Sequence, residues 1–235
     1  MMDRLKVAVV GAGAIGAFYG TMLEKAGVDV SFVARGATLA AIRRDGLRIT
    51  GKRTRTIHPL VTDDPAQIGV VDAVLVCTKT FQVAPALKDY SSSLIGPDTV
   101  VVTTQNGVAT PQVVADIVGR RRTCPGVCRE WVKIVEPGLV DDMGGPASIH
   151  IGMLDGSQNP IVDEIRSRFE SVGVTCPPVD DIITELWFKA VNVCAQGAIG
   201  AALEATLGEL LTCHRDLFVR CVREWIAVGE AHGAD

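Results

Sequence analysis

The sequence predicts an α/β protein built on a parallel β-sheet and followed by a helical region. Short aliphatic runs alternate with segments of helical character through the N-terminal half, a pattern typical of βαβ units. Hydrophobic residues make up 48% of the chain and aromatic residues only 5%, as expected where aliphatic strands are buried on both faces. The segment Cys176-Pro177-Pro178 then precedes a part whose periodicity is purely helical. We therefore predict a sheet domain at 1–178 and a helical domain at 179–235.

The individual elements follow from local hydrophobic patterns and from the residues that end them. Buried parallel strands are predicted at 5–10, 28–34, 72–77 and 99–104. Helices are predicted between them at 14–26, 37–45 and 82–94, the first two ending at Gly27 and Gly46. The remainder of this domain is predicted as alternating segments at 47–50 and 54–60, mixed strand at 124–152 and an amphipathic helix at 158–172. The helical region is predicted as helices at 181–205 and 215–232, with a turn around Gly208.

A glycine-rich segment follows the first predicted strand and opens the first predicted helix. It reads Gly11-Ala12-Gly13-Ala14-Ile15-Gly16. In this context Gly11 permits a tight turn, Gly13 lets the backbone approach a pyrophosphate, and Gly16 allows close packing of helix and strand. The N-terminus of the helix also offers free N–H groups and a positive dipole end to phosphates. The sequence therefore predicts a Rossmann-type dinucleotide-binding domain whose cofactor contacts all six residues of this segment.

The end of the second predicted strand indicates which dinucleotide binds. Many NAD-binding proteins carry Asp or Glu at this point, where the carboxylate accepts a hydrogen bond from the ribose 2′-hydroxyl. This chain carries Val33-Ala34-Arg35-Gly36 instead. A guanidinium binds a 2′-phosphate in a bidentate manner, whereas a carboxylate would repel it. We therefore predict NADP(H) as the cofactor, with Arg35 at its 2′-phosphate.

Charge and hydropathy argue against several kinds of partner. The formal net charge is −4, so the chain lacks the basic character of a nucleic-acid-binding protein. No run of eighteen consecutive apolar residues exists, and we predict no membrane span. We expect a cytoplasmic protein that acts on a small molecule.

The seven cysteines are an odd number and lie in apolar contexts. We expect them to be buried, reduced thiols. Cys124 and Cys128 are four residues apart, but no second pair of Cys or His residues stands at zinc-finger spacing. We therefore predict no metal site.

Several motifs together resemble one family in sequence order. They are residues 6–16, residues 33–36, Cys77-Thr78-Lys79, Thr104-Gln105-Asn106-Gly107 and residues 186–210. In this order they resemble 2-dehydropantoate 2-reductase (ketopantoate reductase), and the resemblance runs through the whole chain. The glycine-rich segment is shared with many dehydrogenases, whereas the Thr-Lys, Gln-Asn-Gly and Trp-x-Lys elements are more specific.

The resemblance implies roles for three residues. Lys79 would face the phosphate-bearing side of the cofactor, and Asn106 would contact both the nicotinamide ribose and the substrate. Lys189, in Trp187-Phe188-Lys189, corresponds to the catalytic lysine of the family. Reduction of a ketone produces an alkoxide, which requires a proton donor and a nearby positive charge. The resemblance thus implies that Lys189 is the general acid.

The sequence departs from the family pattern after Lys189. The family carries asparagines four and eight residues after its lysine, where this chain has Val193 and Gly197. Asn192 and Gln196, at spacings of three and seven, share the helical face of Lys189. We therefore assign the substrate-binding roles of the two asparagines to Asn192 and Gln196. The extra methylene of Gln would change which keto acid fits.

The helical region is about half the size that the resemblance implies. The family's serine and glutamate that hold substrate and cofactor fall beyond Asp235, so we expect a helical domain that is incomplete relative to the family. Three explanations would account for the short helical domain: the sequence is a fragment, a partner chain completes the domain, or the protein no longer catalyses a reaction. The apolar residues Phe218, Val222, Trp225 and Val228 have no evident partner in the chain, which favours a homodimer or a second chain that completes the domain.

Three hypotheses about function follow. The leading one is NADPH-dependent reduction of a 2-keto acid, with 2-dehydropantoate as the substrate that the resemblance implies. The second is a related dehydrogenase of another keto or hydroxy acid, which the residues after Lys189 favour. The third is a non-catalytic NADP-binding protein, which the short helical region favours.

Overall fold

The computed structural model describes residues 4–235 of the chain. The strands are β1 (Lys6–Val10), β2 (Asp29–Val33), β3 (Leu47–Gly51), β4 (Arg55–Ile57), β5 (Val61–Thr62), β6 (Val71–Val76), β7 (Ile95–Thr103), β8 (Thr123–Cys124), β9 (Gly126–Arg129), β10 (Val132–Glu136), β11 (Leu139–Asp142) and β12 (Ser148–Ile151). The helices are α1 (Ala14–Lys25), α2 (Gly36–Asp45), α3 (Thr80–Leu94), α4 (Thr110–Val118), α5 (Pro160–Ser171), α6 (Ile182–Leu203), α7 (Leu207–Thr212) and α8 (Arg215–Ala231).

Six strands form one parallel sheet in the order β5-β2-β1-β6-β7-β8. In the central strand, Val9 pairs with Phe32 of β2 on one side and with Leu75 of β6 on the other. Alternate residues of β1 enter two separate hydrophobic clusters, one on each face of the sheet, so the strand is apolar throughout. This arrangement confirms the predicted Rossmann-type sheet. The chain continues from β1 to β2 on one side and later to β6 on the other, and ligands bind at such a switch point.

Two smaller sheets lie outside the parallel sheet. The first has the order β10-β11-β3-β4 and the second consists of β12 and β9. Helix α1 contacts β3, β10 and β11, so the first small sheet covers this helix. The segments at 47–50, 54–60 and 124–152 were predicted as extended, but their pairing was not. Strand β11 pairs in parallel with β3, far away in the sequence, and local patterns carry no information on such a pairing.

Two helices differ from the sequence analysis. Helix α4 was not predicted, although Pro111 stands at its beginning and Gly119 ends it with a φ of 90°. The turn predicted around Gly208 is wrong, because this glycine lies inside α7. The side chain of Thr206 accepts a hydrogen bond from the Glu209 N–H and the Glu209 carboxylate accepts one from the Thr206 N–H, a capping box that begins the helix.

Helix α6 joins the helical region to the sheet region. The Asp181 carboxylate accepts a hydrogen bond from the Ile183 N–H at 2.8 Å, which caps the first turn. One turn apart on the same face, Ile182 and Leu186 are buried against Val127 of β9. This docking fixes where the next turn of the helix, with Lys189, meets the sheet.

Helix α8 packs against α6. The ring centroid of Trp225 lies 6.4 Å from that of Trp187, and a Cβ atom at Gly229 would lie 3.3 Å from the same indole. The expectation that the apolar face of α8 lacks a partner in this chain is therefore wrong for its inner part, because Trp187 of α6 provides one. Val228 remains 46% exposed.

Helix α6 also has the length and apolar composition of a membrane-crossing helix. Its most apolar window has a mean hydropathy of 1.2, and 22% of that window is buried. A core helix of a soluble protein meets the same criterion, so one such helix is weak evidence. The absence of a membrane span stays a prediction.

Candidate active site

The glycine-rich loop connects β1 to α1 at the switch point of the sheet. Gly11 has a φ of 103° and its N–H donates a hydrogen bond to the Val33 carbonyl at 3.0 Å. A Cβ atom at Gly16 would overlap the Gly11 carbonyl oxygen, so the helix packs closely on the loop. At Gly13 a Cβ atom would meet no atom within 4 Å and would project into open space. This is the space that the backbone of a dinucleotide-binding loop keeps free for a pyrophosphate.

The N-terminus of α1 is open to an anion. No side chain in residues 4–235 caps this helix end, and its first turn contains no acidic residue. The N–H groups of the first turn have no partner further back in the helix and carry the positive end of the helix dipole. The loop therefore has the properties of a phosphate site, and cofactor binding by residues 11–16 stays a prediction.

A cavity of about 270 Å³ extends from this loop towards the second strand. Arg35, the N-cap residue of α2, lies on its wall together with Gly11, Ala12 and Gly13. Arg35 is exposed. The structure thus brings the arginine and the glycine loop to one cavity, as the prediction of a 2′-phosphate site requires.

A larger cleft of about 690 Å³ begins on the other side of the loop. Both spaces are lined by Gly13 and Thr78, so they adjoin each other. The Thr78 hydroxyl is buried and has no hydrogen-bond partner among the residues that the structure describes. A buried hydroxyl without a partner is rare in native proteins, and a polar ligand at this junction would satisfy it. The residues present therefore fit an elongated, phosphate-bearing cofactor.

The cleft brings together most residues that the sequence singled out. Its walls include Gly13, Ala14, Ile15, Lys79, Asn106, Lys189 and Asn192. The loop residues and Lys79 lie on one side, where Lys79 precedes the first turn of α3. Lys189 and Asn192 come from α6.

The position of Asn106 depends on its neighbour Gln105. The Gln105 side-chain amide donates hydrogen bonds to the Val76 carbonyl at 2.7 Å and to the Thr78 carbonyl at 2.9 Å. These bonds tie the end of β7 to the end of β6 at the carboxyl edge of the sheet. Asn106 follows directly and is exposed to the cleft.

Lys189 is half-buried at the base of the cleft. Its Nζ atom donates a hydrogen bond of 2.5 Å to the main-chain carbonyl of Cys128 on β9. An ammonium group has three protons, so two remain for a ligand. A smaller cavity of about 170 Å³, lined by Lys189, Asn106 and Val193, adjoins the cleft here.

The two assignments after Lys189 have different outcomes. Asn192 lines the cleft, as does Val193, the residue at the family's own spacing. Gln196 is half-buried and is not among the residues that line either cavity at Lys189. Spacing on a helical face placed Gln196 with Lys189, but seven residues span two turns, and the cleft does not extend so far.

Glu130 lines the same cleft and was not predicted from the sequence. It follows β9, and its carboxyl group forms a hydrogen bond with the hydroxyl of Tyr19 on α1. Burial raises the pKa of this carboxyl group, while the Tyr19 hydroxyl and Lys189 lower it by smaller amounts. Nothing in the local pattern of residues 124–152 marks this glutamate, because its partners come from distant helices.

The cysteines differ in part from the expectation. Burial raises the pKa of Cys77 to about 12 and raises that of Cys128 as well, so neither is a thiolate at neutral pH. Cys213 is exposed, and Cys77, Cys194 and Cys221 are half-buried. Three of these four lie in the region of helices α6 to α8, which are only partly covered. Within residues 4–235 no group of three His, Cys, Asp or Glu side chains is arranged to hold a metal ion.

The fold and the cleft define a class of protein, the Rossmann-type oxidoreductases that bind a nicotinamide dinucleotide. The family model for "Ketopantoate reductase PanE/ApbA" matches residues 7–156. The chain therefore belongs to the ketopantoate reductase PanE/ApbA family.

Individual relatives agree with this placement. The 2-dehydropantoate 2-reductase of Pyrococcus horikoshii is 30% identical over 206 residues, which cover 88% of this chain and 66% of that relative. The enzyme of the same name from Mesorhizobium japonicum is 29% identical over 253 residues, with 97% of this chain and 77% of the relative covered. The chain thus spans about two thirds of the Pyrococcus relative and about three quarters of the second.

Solved structures show the same fold. The crystal structure of 2-dehydropantoate 2-reductase from Geobacter metallireducens GS-15 superimposes with a TM-score of 0.88 at 30% identity, covering 97% of this chain and 76% of that one. The ternary structure of D-mandelate dehydrogenase with NADH and anilino(oxo)acetate gives a TM-score of 0.86 at 21% identity, covering 98% and 75%. At that identity the second likeness concerns the fold alone.

Proposed function

We propose that this protein is an NADPH-dependent reductase of a 2-keto acid, with 2-dehydropantoate as the leading substrate. The observation that carries the proposal is that the glycine loop and the Lys189 ammonium line one continuous cleft. The names of the relatives support the choice of substrate.

The residues that would hold NADPH follow from the two cavities. The N–H groups at the start of α1 and the open space at Gly13 suit the pyrophosphate, and Lys79 adds a positive charge on the same side. Arg35 suits the 2′-phosphate, and Asn106 suits the nicotinamide ribose. When bound, the cofactor supplies a hydride to the ketone carbon. Arg35 is the reason for proposing NADPH rather than NADH.

Lys189 acts on the ketone oxygen. The Cys128 carbonyl accepts one proton of the ammonium group, which leaves two for a ligand in the cleft that Lys189 lines. As the ketone carbon is reduced, negative charge develops on its oxygen, and Lys189 Nζ stabilises that charge and transfers a proton to it. The product is a 2-hydroxy acid, and the lysine regains its proton from water.

Substrate selection is proposed for the side chains on α6 and at the end of β7. Asn106 and Asn192 offer amide groups to the substrate. The assignment of Gln196 to substrate binding is kept as a proposal, although its side chain does not line the cleft. Val193 supports a second candidate function, the reduction of a different 2-keto acid, because it presents an apolar group to the cleft. A side chain such as valine favours an apolar substituent over a hydroxylated one.

The helical region leaves an apolar groove uncovered, and we propose what covers it. We propose that residues 1–178 and 179–235 are separate domains. We also propose that the apolar groove between α6, α7 and α8 is covered either by a second copy of this chain or by a different partner chain. This groove has a volume of about 560 Å³ and includes Trp187, Leu211, Phe218 and Val222. We further propose a cytoplasmic location and no nucleic-acid or membrane partner.

The test is oxidation of NADPH in the presence of a panel of 2-keto acids that includes 2-dehydropantoate. Turnover with 2-dehydropantoate supports the leading function, and turnover with only another acid supports the second. Binding of NADPH without turnover of any acid, in the complete assembly, supports the non-catalytic alternative.

A further inference from the structure

Glu130, directly after β9, and Lys189, on α6, lie close together where the helix contacts this strand. The Cys128 carbonyl accepts the Lys189 hydrogen bond, and Glu130 stands two residues further along the chain. Both side chains line the cleft. A substrate carboxylate next to Lys189 is therefore also close to Glu130, and the charge of Glu130 affects its binding.

The hydrogen bonds of Tyr19 indicate the protonation state of Glu130. The Tyr19 hydroxyl contacts the Glu130 Oε2 atom and, at 2.8 Å, the main-chain carbonyl oxygen of Ser148. A phenol has one proton, so it satisfies only one of these two contacts as a donor. A carbonyl oxygen only accepts, and the Tyr19 proton therefore belongs to the Ser148 contact. The proton between Tyr19 and Glu130 then comes from Glu130, which is neutral.

The surroundings of Glu130 favour this neutral form. Tyr19 from α1, Cys77 after β6, Cys128 from β9 and Lys189 from α6 face the carboxyl group. Burial raises the pKa of the Tyr19 hydroxyl and of both thiols, so these three groups are neutral at neutral pH. Burial also raises the pKa of Glu130, and this effect outweighs the opposing effect of Lys189. The ion pairs nearby use another carboxylate: Glu185 accepts from Arg129 at 3.1 Å and pairs with His150 at 2.9 Å.

We propose that Glu130 is a specificity-determining residue, a neutral carboxyl group that admits an anionic substrate next to Lys189 and repels that substrate once it ionises. This proposal rests on the proposed function, since a 2-keto acid is the anion in question. With Glu130 neutral, Lys189 dominates the charge at the base of the cleft. Once Glu130 is ionised, the Tyr19 hydroxyl donates its proton to the carboxylate. The negative charge of Glu130 then offsets the attraction of Lys189 for an anionic substrate.

The test is the pH dependence of KM and kcat for 2-dehydropantoate at saturating NADPH. In the wild-type protein, we expect KM to rise with pH above the pKa of Glu130, by up to about tenfold per pH unit because one proton is linked to binding. In Glu130→Gln, whose amide N–H replaces the carboxyl proton, this rise is absent, while the pH dependence of kcat is unchanged. Glu136→Gln, an exposed change of the same kind on β10, retains the wild-type profile.

Two results would overturn the proposal. One is a wild-type KM that stays constant with pH, which needs no variant, and the other is a Glu130→Gln protein that retains the rise. An infrared difference spectrum between the wild type and Glu130→Gln needs no activity. We expect the protonated carboxyl band of Glu130 to persist well above the ordinary glutamic acid pKa of 4.5. If the band is lost at that ordinary value, the proposal that Glu130 is neutral is overturned. If the band persists but the protein turns over no keto acid, only the proposed function is refuted.

Discussion

The Lys189 Nζ atom donates a 2.5 Å hydrogen bond to the Cys128 carbonyl, which joins helix α6 to strand β9 at the base of the cleft. The bond fixes the direction of the ammonium group relative to the parallel sheet, although the two residues lie 61 positions apart. The glycine loop lies on the same cleft. The proposed proton donor and the loop proposed to bind the dinucleotide are thereby brought to one cleft by elements from different parts of the chain.

Replacement of Arg35 tests the choice of cofactor. Arg35→Ala removes a charge-assisted contact to the 2′-phosphate, and we expect NADPH to bind about tenfold or more weakly, since such a contact contributes about 1.5–3 kcal/mol. NADH affinity should change little. Calorimetric titration of both cofactors measures the effect, and Arg44→Ala, at the exposed far end of α2, is the matched control. Equal affinities of the wild type for both cofactors contradict the assignment.

A side chain at Gly13 tests the phosphate site. Gly13→Val fills the open space in front of the loop, and we expect dinucleotide binding to be lost. The fold should survive, because Gly13 has an ordinary φ of −77° and the new Cβ atom meets no neighbour. Gly208→Val in α7, where a Cβ atom is likewise unobstructed, should bind normally. Undiminished binding by Gly13→Val would mean that the loop is only a turn.

The neutral carboxyl group of Glu130 also has a consequence for stability. Because the folded protein raises the pKa of Glu130 above its ordinary value of 4.5, its contribution to stability is complete below that value and is lost as the pH rises through the folded pKa. Relative to Glu130→Gln, the wild type should therefore lose about 1.4 kcal/mol of unfolding free energy per pH unit within this window. Urea denaturation of both proteins across pH measures the difference. A difference that grows in the opposite direction would indicate a carboxylate stabilised by Lys189.

Local patterns were sufficient for the parts of the fold that depend on neighbours in sequence. The aliphatic run of β1 and the spacing of Gly11, Gly13 and Gly16 specify a strand, a turn and a helix start within a few residues. The pairing of β11 with β3 and the packing of Trp187 on Trp225 depend on tertiary contacts, and they were missed. The dependence on tertiary contacts also explains which residues of the candidate site could not be predicted.

Among the residues that line the cleft, those that follow a strand end or belong to a family motif could be predicted from the sequence, and those defined by a distant partner could not. Lys79 and Asn106 each follow a strand of the parallel sheet, where the fold itself directs them to the cleft. Glu130 is held at the cleft by a hydrogen bond to Tyr19, 111 positions away. Gln196 was assigned from helical spacing, and spacing alone does not show how far the cleft extends along the helix.

Replacement of Lys189 is the most direct test of the central claim. NADPH oxidation with 2-dehydropantoate is measured for the wild type, for Lys189→Ala and for Lys88→Ala, an exposed lysine on α3. We expect Lys189→Ala to lower kcat by about a hundredfold or more, in the range for general acid catalysis, with little change in NADPH affinity. Lys88→Ala should retain wild-type turnover. Normal reduction of 2-dehydropantoate by the Lys189→Ala protein would contradict the account, and a change confined to KM would reduce the lysine to a binding group.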